Sequence, residues 1–281
     1  MAMTINTNVA SLNAQRNLST SQGMMAQSIQ RLSSGLRVNS AKDDAAGLAI
    51  AERMQGQIKG FSVATRNASD AISLAQTAEG ALSTIGDNLQ RMRELAVQSS
   101  NGTNSTTDRT NLNAEFSQLA AEITRTIGGT SFNSTNLFGA TAASGFTFQI
   151  GANNVAATDQ ISVSGTDLTT NTELASGGTV IGGNISTLAT AQAMLADIDT
   201  AINTVTTQRS TWGATQNRFE AVISNLKVTS ENLAAARGRI MDTDFATETA
   251  NLTKSQILQQ AGTAMLAQAN QTPQSVLSLL K

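Results

Sequence analysis

Adjacent carboxylates at Asp43 and Asp44, in the stretch KDDAAG, are the first residues that could do chemistry. Paired acids serve as metal ligands or as an acid/base couple, and either use needs convergent partners. The chain has no histidine and no cysteine. The commonest general base, the commonest neutral metal ligand and the cysteine nucleophile are therefore all missing. Helix-start chemistry is the simpler role. Ser40 is expected as an N-cap with Asp43 three residues on, and both acids then fall in the first turn. The glycine-rich GGTVIGG at 177–183 lacks the Lys-Ser/Thr and the strand–helix frame of a phosphate loop, so it predicts a flexible loop. No catalytic residue, metal site or cofactor is expected.

Association is the chemistry the sequence does carry. The sequence closes on SVLSLLK, and Val276, Leu277, Leu279 and Leu280 make an apolar run where chains usually fray into water. Segment 1–36 has only Arg16 and Arg31 as charged side chains, and segment 245–281 only Glu248, Lys254 and Lys281. Both show apolar residues at helical spacing: Ile5, Val9 and Leu12; Met25, Ile29, Leu32 and Leu36; Ile257, Leu258, Ala261 and Met265. Helices with so few charges suit water poorly. Paired with each other, their outer faces would still be nearly uncharged, which predicts burial against further copies of the chain. Ordering costs about 1–2 kcal/mol per residue in backbone entropy. A buried large apolar side chain returns about 1.5–3 kcal/mol. The ends are therefore expected to be disordered in the monomer and ordered after assembly.

Between these ends the elements follow from periodicity. Positions at alternating spacings of four and three run Ile50, Met54, Gln57, Phe61, Ala64, Ala68, Ala71, Ala75, Ala78, Leu82, Ile85, Leu89, Met92, Ala96, with only Gln57 polar. That repeat predicts a long bundle helix over about 41–99, broken by the turn formers of SSNGTNSTTD. Leu112, Phe116, Leu119, Ile123 and Ile127 predict a second helix over 107–127, stopped at Gly128-Gly129. FTFQIG and DQISVSG alternate like short strands of a hairpin. Segment 166–187 reads as a loop or small exposed element. Heptads resume at Leu188, Ala191, Leu195, Ile198, Ile202 and Val205 and continue through Trp212, Phe219, Ile223, Leu226 and Leu233, with Arg209, Gln216 and Ser230 interrupting. The fold class is mainly α: a long coiled-coil-like bundle with a small β-hairpin and paired N- and C-terminal helices.

Composition narrows the function. Charged residues make up 14% of the chain, against a usual ~25%. A net charge of −2 gives no basic patch for nucleic acid or an anionic membrane. No run approaches the ~18 apolar residues of a membrane span. The start lacks the basic and apolar regions of a cleavable signal peptide.

The stretches LSSGLRVNSAKDDAAGLAIAERM, ATRNASDAISLAQTAEGAL and LQRMRELAVQSSNGTNS resemble the amino-terminal region of bacterial flagellins. NRFEAVISNLKVTSENLAAARGRIMDTDFATETANLTKSQILQQAGTAMLAQANQTPQSVLSLLK resembles their carboxy-terminal region. The likeness covers about 1–140 and 188–281, with the variable middle reduced to a stub. Many relatives end in Arg where this chain has Lys281.

The resemblance implies a secreted, extracellular subunit of the flagellar filament for swimming motility, and not an enzyme. It implies a terminal domain (1–40 with 245–281) forming an inner tube, and a bundle with a hairpin (41–165 with 188–244) forming an outer tube. A surface stub (166–187) completes the chain. It implies assembly contacts through Ile5, Val9, Leu12, Ile257, Leu258, Met265, Val276, Leu277, Leu279 and Leu280. The implied partners are the chain itself, an export chaperone at the C-terminal segment, the type III apparatus, the filament cap and hook-junction proteins. No nucleic acid or membrane partner is implied. Arg91, Leu95 and Glu115 match positions through which many flagellins are recognised by an animal Toll-like receptor. On residue type alone, Arg91, Arg93 and Glu94 are a solvated helix face. A hook–filament junction protein is an alternative in the same class, and a helical-bundle signalling module is one in a different class.

Overall fold

The computed structural model describes residues 7–278, with side-chain surroundings through Gln271. The chain divides into two compact units, residues 1–56 with 232–281 and residues 57–231.

The first unit is built on two helices, α1 (Val9–Ser34) and α7 (Phe245–Ser278). Asn8 opens α1 by accepting the Ser11 amide on its side chain at 3.1 Å. Gly35 closes it at φ 71°, a left-handed C-terminal position that glycine adopts without strain. The two helices run antiparallel. Asn8 Nδ2 donates to the Ala269 carbonyl at 2.7 Å, and at the other end Arg31 meets Glu248 at 3.6 Å.

The connectors next to them pair through an isolated antiparallel bridge, Leu36 with Asp242. Thr243 N–H donates to the Gly35 carbonyl at 2.9 Å. The Arg37 guanidinium donates to the Ile240 carbonyl at 2.8 Å, on one of the last turns of α6 (Leu188–Met241). There a cation suits the unpaired carbonyls. Val38, Ala51 and Met241 form a small core beneath.

Helix α2 spans Ala45–Ser99, so it starts four residues later than expected and ends on the predicted residue. Ser40 is not its N-cap. Asp44 is, accepting the Gly47 amide at 2.8 Å. Asp43 instead ties the preceding turn, accepting the Ser40 amide at 2.9 Å and the Ser40 hydroxyl at 3.0 Å. The Ser40 hydroxyl, then its amide, hold the Asp43 carboxyl below its ordinary 3.8. A carboxylate serves equally as a cap or as a turn lock, and the spacing alone did not say which acid does which.

The second unit packs α2 and α6 antiparallel, clasped by Arg93–Asp199 at 2.7 Å and Arg209–Glu79 at 2.8 Å. Arg209, an interruption of the α6 heptads, is thus a cross-helix tie. Helix α3 (Thr106–Gly129) returns along α2 after a full capping box between Ser105 and Asp108. Every predicted α2 stripe position from Ala64 to Ala96 is buried, whereas Ile50 is exposed. Leu82, Ile85, Leu89 and Met92 meet Phe116 and Ile123 of α3 and Ile198, Trp212 and Phe219 of α6 in one core.

Strands β3 (Phe146–Gln149) and β4 (Gln160–Val163) form the expected antiparallel hairpin, Phe148 opposite Ile161. Phe148 meets Phe219 edge to face at 5.5 Å. A Cβ on Gly60 would lie 2.6 Å from the Ala152 side chain, so a bare glycine lets the hairpin loop rest on α2.

A second hairpin, β1 (Ser131–Phe132) with β2 (Thr135–Asn136), and two short helices, α4 (Ala140–Ser144) and α5 (Ala156–Asp159), were not expected. Asn133 and Ser134 both take positive φ, the type I′ turn that the asparagine could have signalled. Segment 166–187 is more than an exposed loop. Leu168, Leu174, Val180 and Ile185 are buried in the shared core. The Ile185 amide donates to Asn113 Oδ1 at 2.8 Å.

The Asp108 carboxyl is held below 3.8, first by the Ser105 hydroxyl and then by its amide. A depressed acid stabilises the fold fully above its unfolded value and loses that contribution as pH falls through the folded one. Asp108→Asn should therefore melt below the parent chain at pH 7, and the gap should close below pH 3.8. Thermal melts followed by circular dichroism across that range check this. A gap that stays constant into acid would contradict it.

Candidate assembly surface

A helix pair in water normally turns its apolar stripe inward. The pairing of α1 with α7 does so only in part. The least exposed positions follow strict heptads: Ser11, Ala14, Leu18, Ser21, Met25, Ser28 and Leu32 on α1, and Glu248, Leu252, Ser255, Gln259, Gly262, Leu266 and Ala269 on α7. Nine of these fourteen seam residues are small or polar. Two of its hydroxyls are satisfied within their own helix, Ser21 on the Asn17 carbonyl at 3.0 Å and Ser255 on the Asn251 carbonyl at 2.8 Å. Side chains this short let the backbones approach. A Cβ on Gly262 would already touch Leu18 Cδ1 at 3.3 Å.

Leu18, Met25, Leu32, Leu252 and Leu266 sit half-buried on this seam, while a second set of large apolar side chains faces away from it. Val9, Leu12, Met24 and Ile29 on α1, and Phe245, Ile257, Leu258 and Met265 on α7, are all exposed, Ile257 at 60% and Met265 at 64%. Ile257 and Leu258 line a shallow groove with Ala250, Thr253 and Lys254. Covering Val9, Leu12, Ile29, Ile257, Leu258 and Met265, each between 40% and 67% exposed, is worth about 5–10 kcal/mol gross, at about 1.5–3 per fully exposed side chain.

Of the α1 residues at helical spacing, Met25 and Leu32 lie on the seam, whereas Ile29 is exposed and Ser28 takes the seam position beside it. Close backbone packing selects the small residue of the adjacent pair. Met24 and Phe245 belong to the exposed set and escaped notice, because neighbouring apolar residues such as Met24 and Met25 fit the same period. Ile5, Leu279 and Leu280 lie outside the described residues, as do the side chains of Val276 and Leu277.

The other predicted group does come together in part. Arg91 donates through Nε to Glu115 Oε1 at 2.9 Å and through Nη1 to Glu94 Oε2 at 2.8 Å. Glu94, then Glu115, raise the arginine's pKa further, so its charge is permanent. The guanidinium and both carboxylates are exposed. Leu95 is not on that face. It is 1% exposed and belongs to the core.

The remaining candidates resolve into turns. In GGTVIGG the amides are spent on nearby carbonyls, Thr179 on Thr172 at 2.9 Å and Gly182 on Gly178 at 2.7 Å. Among the described residues no group of three acids is placed to hold a metal ion, and no helix is long and apolar enough to cross a membrane.

Comparison with known proteins decides what this arrangement belongs to. The bacterial flagellin N-terminal helical region matches residues 5–143, and the bacterial flagellin C-terminal helical region matches residues 195–280. The chain belongs to the bacterial flagellin family. It is 46% identical over 280 residues to a flagellin of Halalkalibacterium halodurans, covering 99% of this chain and 100% of that one. It is 42% identical over 292 residues to the flagellar filament 33 kDa core protein of Treponema phagedenis, with 99% and 100% covered. A crystal structure of Bacillus cereus flagellin shares 33% identity over 61% of this chain and 94% of that one, at a TM-score of 0.49. As a flagellin, the chain is a helical structural protein of the flagellar filament, and motility follows from the family.

The split between Leu95 and its neighbours has a direct consequence. Leu95→Ala should destabilise the second unit by about 2–5 kcal/mol, the usual cost of emptying a buried leucine site. Arg91→Ala and Glu115→Ala should leave the melting temperature within error, as exposed ion pairs generally do. Urea unfolding of the three variants checks the contrast. Equal stability of all three would contradict the burial of Leu95.

Proposed function

We propose that the chain polymerises into the filament through the outward apolar face of the α1–α7 pair. In this reading residues 1–40 with 245–281 form the inner tube, 41–165 with 188–244 the outer tube, and 166–187 a short surface stub whose Leu168, Leu174, Val180 and Ile185 anchor it in the bundle core. The observation that supports it is the exposure of Val9, Leu12, Ile257, Leu258 and Met265 on helices whose mutual seam is mostly small or polar. The seam alone repays little of the ordering entropy, so the terminal pair completes its order when neighbouring copies cover that face. Ile5, Val276, Leu277, Leu279 and Leu280 extend the same contact. Secretion through a type III apparatus, a chaperone at the C-terminal segment, and insertion at a cap beyond hook-junction proteins follow from the family resemblance.

Seeded growth tests the reading. Ile257→Asp with Met265→Asp places charge where an apolar contact is proposed. A loss of even ~3 kcal/mol per subunit raises the critical concentration over a hundredfold. The melting of the second unit should not change. Growth at the parent concentration would refute the surface. Rings that stop growing, instead of unlimited filaments, would favour a hook–filament junction role.

A second activity rests on the exposed Arg91–Glu94–Glu115 cluster and on its match to the receptor-recognition positions of flagellins. The cluster offers a fixed cation flanked by two carboxylates, a pattern a charged partner reads by complementarity. Arg91→Ala and Glu115→Ala should each weaken activation of a Toll-like receptor reporter cell by at least tenfold without loss of fold. Leu95→Ala should act through stability. Unchanged dose curves for the two charge variants would remove this activity.

A further inference from the structure

The α1–α7 seam poses a problem of register. A heptad slip of α7 along α1 exchanges Ser255 for Gly262 or Glu248 and Leu252 for Gln259, mostly small or flexible side chains. Volume discriminates poorly between such alignments, as in any weakly patterned seam. The Leu36–Asp242 bridge ties the helix ends, and on the seam itself one side-chain position is different. Glu248 lies on the seam at 7% exposure, and within 245–271 it is the lone acid. Its partner Arg31, at 3.6 Å, is one of two cations in segment 1–36.

We propose that the Arg31–Glu248 pair fixes the register of α1 on α7, and is a positioning pair for filament assembly. A slip of seven residues moves Glu248 about 10 Å along the helix, beyond reach of Arg31. A slip toward the α1 N-terminus would bury the carboxylate without a cation, which is strongly unfavourable, and the opposite slip meets Arg37, whose guanidinium is already held on the Ile240 carbonyl. Arg16 lies about two heptads away on α1 and cannot substitute within one slip. Arg31 Nε is itself buried without a hydrogen-bond partner. The pair therefore spends little on stability and acts by excluding other alignments, as buried polar groups do in coiled coils. At the far end Ser11 Oγ donates to Asn270 Oδ1 at 2.9 Å in the same alignment. Register matters because the outward face is composite. The alignment sets Met24 level with Ile257 and Leu12 level with Met265, and a slip would rearrange the apolar pattern offered to other copies.

The assembly half of this proposal rests on the polymerisation reading above, but the register half does not. The chain contains no cysteine, so introduced pairs report alignment cleanly. Ser11→Cys with Asn270→Cys reports the observed register, and Ser11→Cys with Thr263→Cys reports a one-heptad slip. Oxidation is carried out on the free full-length chain and on seeded filaments, with circular dichroism confirming the fold. The parent background should form the first disulfide at least tenfold faster than the second. Glu248→Lys should abolish that preference and raise the critical concentration at least tenfold. The exchange Arg31→Glu with Glu248→Lys should restore both to within threefold, which loss of generic packing would not permit. An unchanged preference in Glu248→Lys, or no recovery on exchange, would overturn the register role. Lost preference with normal filament growth would overturn the assembly role. If Ile257→Asp with Met265→Asp leaves growth unaffected, the assembly surface fails while the disulfide result stands by itself.

Discussion

Close approach of two helix backbones is the constraint from which the terminal unit follows. Serine, alanine and glycine on the facing stripes allow the approach, and they leave no room on the seam for most of the large apolar side chains nearby. Val9, Ile257 and Met265 are thereby turned outward. A water-soluble helix pair would avoid this arrangement, since contiguous exposed apolar surface marks an interaction site. The near absence of charge on the same helices fits. Arg31 and Glu248 neutralise each other, and Arg16 and Lys254 are left as the charged side chains between Val9 and Ser34 and between Phe245 and Gln271.

The second unit uses the same heptad grammar to the opposite end. Its stripes carry Leu, Ile, Met and Phe, and these are buried: Leu82, Ile85, Leu89 and Phe219 have no measurable exposure. Its cross-helix ion pairs, Arg93–Asp199 and Arg209–Glu79, lie at the rim, where exposed pairs select partners and orientation more than they stabilise. One unit thus buries its large apolar stripes, and the other leaves Val9, Leu12, Ile257 and Met265 exposed. That division is what a coupled folding and polymerisation mechanism needs.

Periodicity made the long elements legible. Helices α2, α3 and α6 and the β3–β4 hairpin fall close to their expected places, because long repeats average over local ambiguity. Phase was harder. On the terminal helices hydrophobic spacing does not say which residues face the partner: Met25 and Leu32 do, but Ser28 and not Ile29 lies on the seam. Leu95 shows the same weakness in reverse. Its sequence neighbours Arg91 and Glu94 are surface residues, and only the burial of the α2 stripe reveals which way it faces. The β1–β2 hairpin and the buried anchors Leu168, Leu174 and Val180 were invisible for a different reason. They are isolated apolar residues in polar surroundings, where no period exists to be read.

Hydroxyl groups explain how long helices can carry so little charge. Along α6, Thr200, Thr204, Thr207, Thr211 and Thr215 each donate to the carbonyl four residues earlier, at 2.8–3.1 Å. Thr65, Ser69, Ser73 and Thr77 do the same on α2. These side chains are polar to water yet already satisfied, so covering them strands few donors. A charged face would carry a desolvation cost at every covered position. In a helical filament each contact is heterologous and repeats with every subunit, so any such cost recurs along the whole polymer. A threonine-rich helix surface can therefore be wet in the free chain and dry against a neighbour with a smaller penalty than lysine or glutamate would bring. The low charge content, puzzling for a water-exposed bundle, is what a surface meant to meet copies of itself requires.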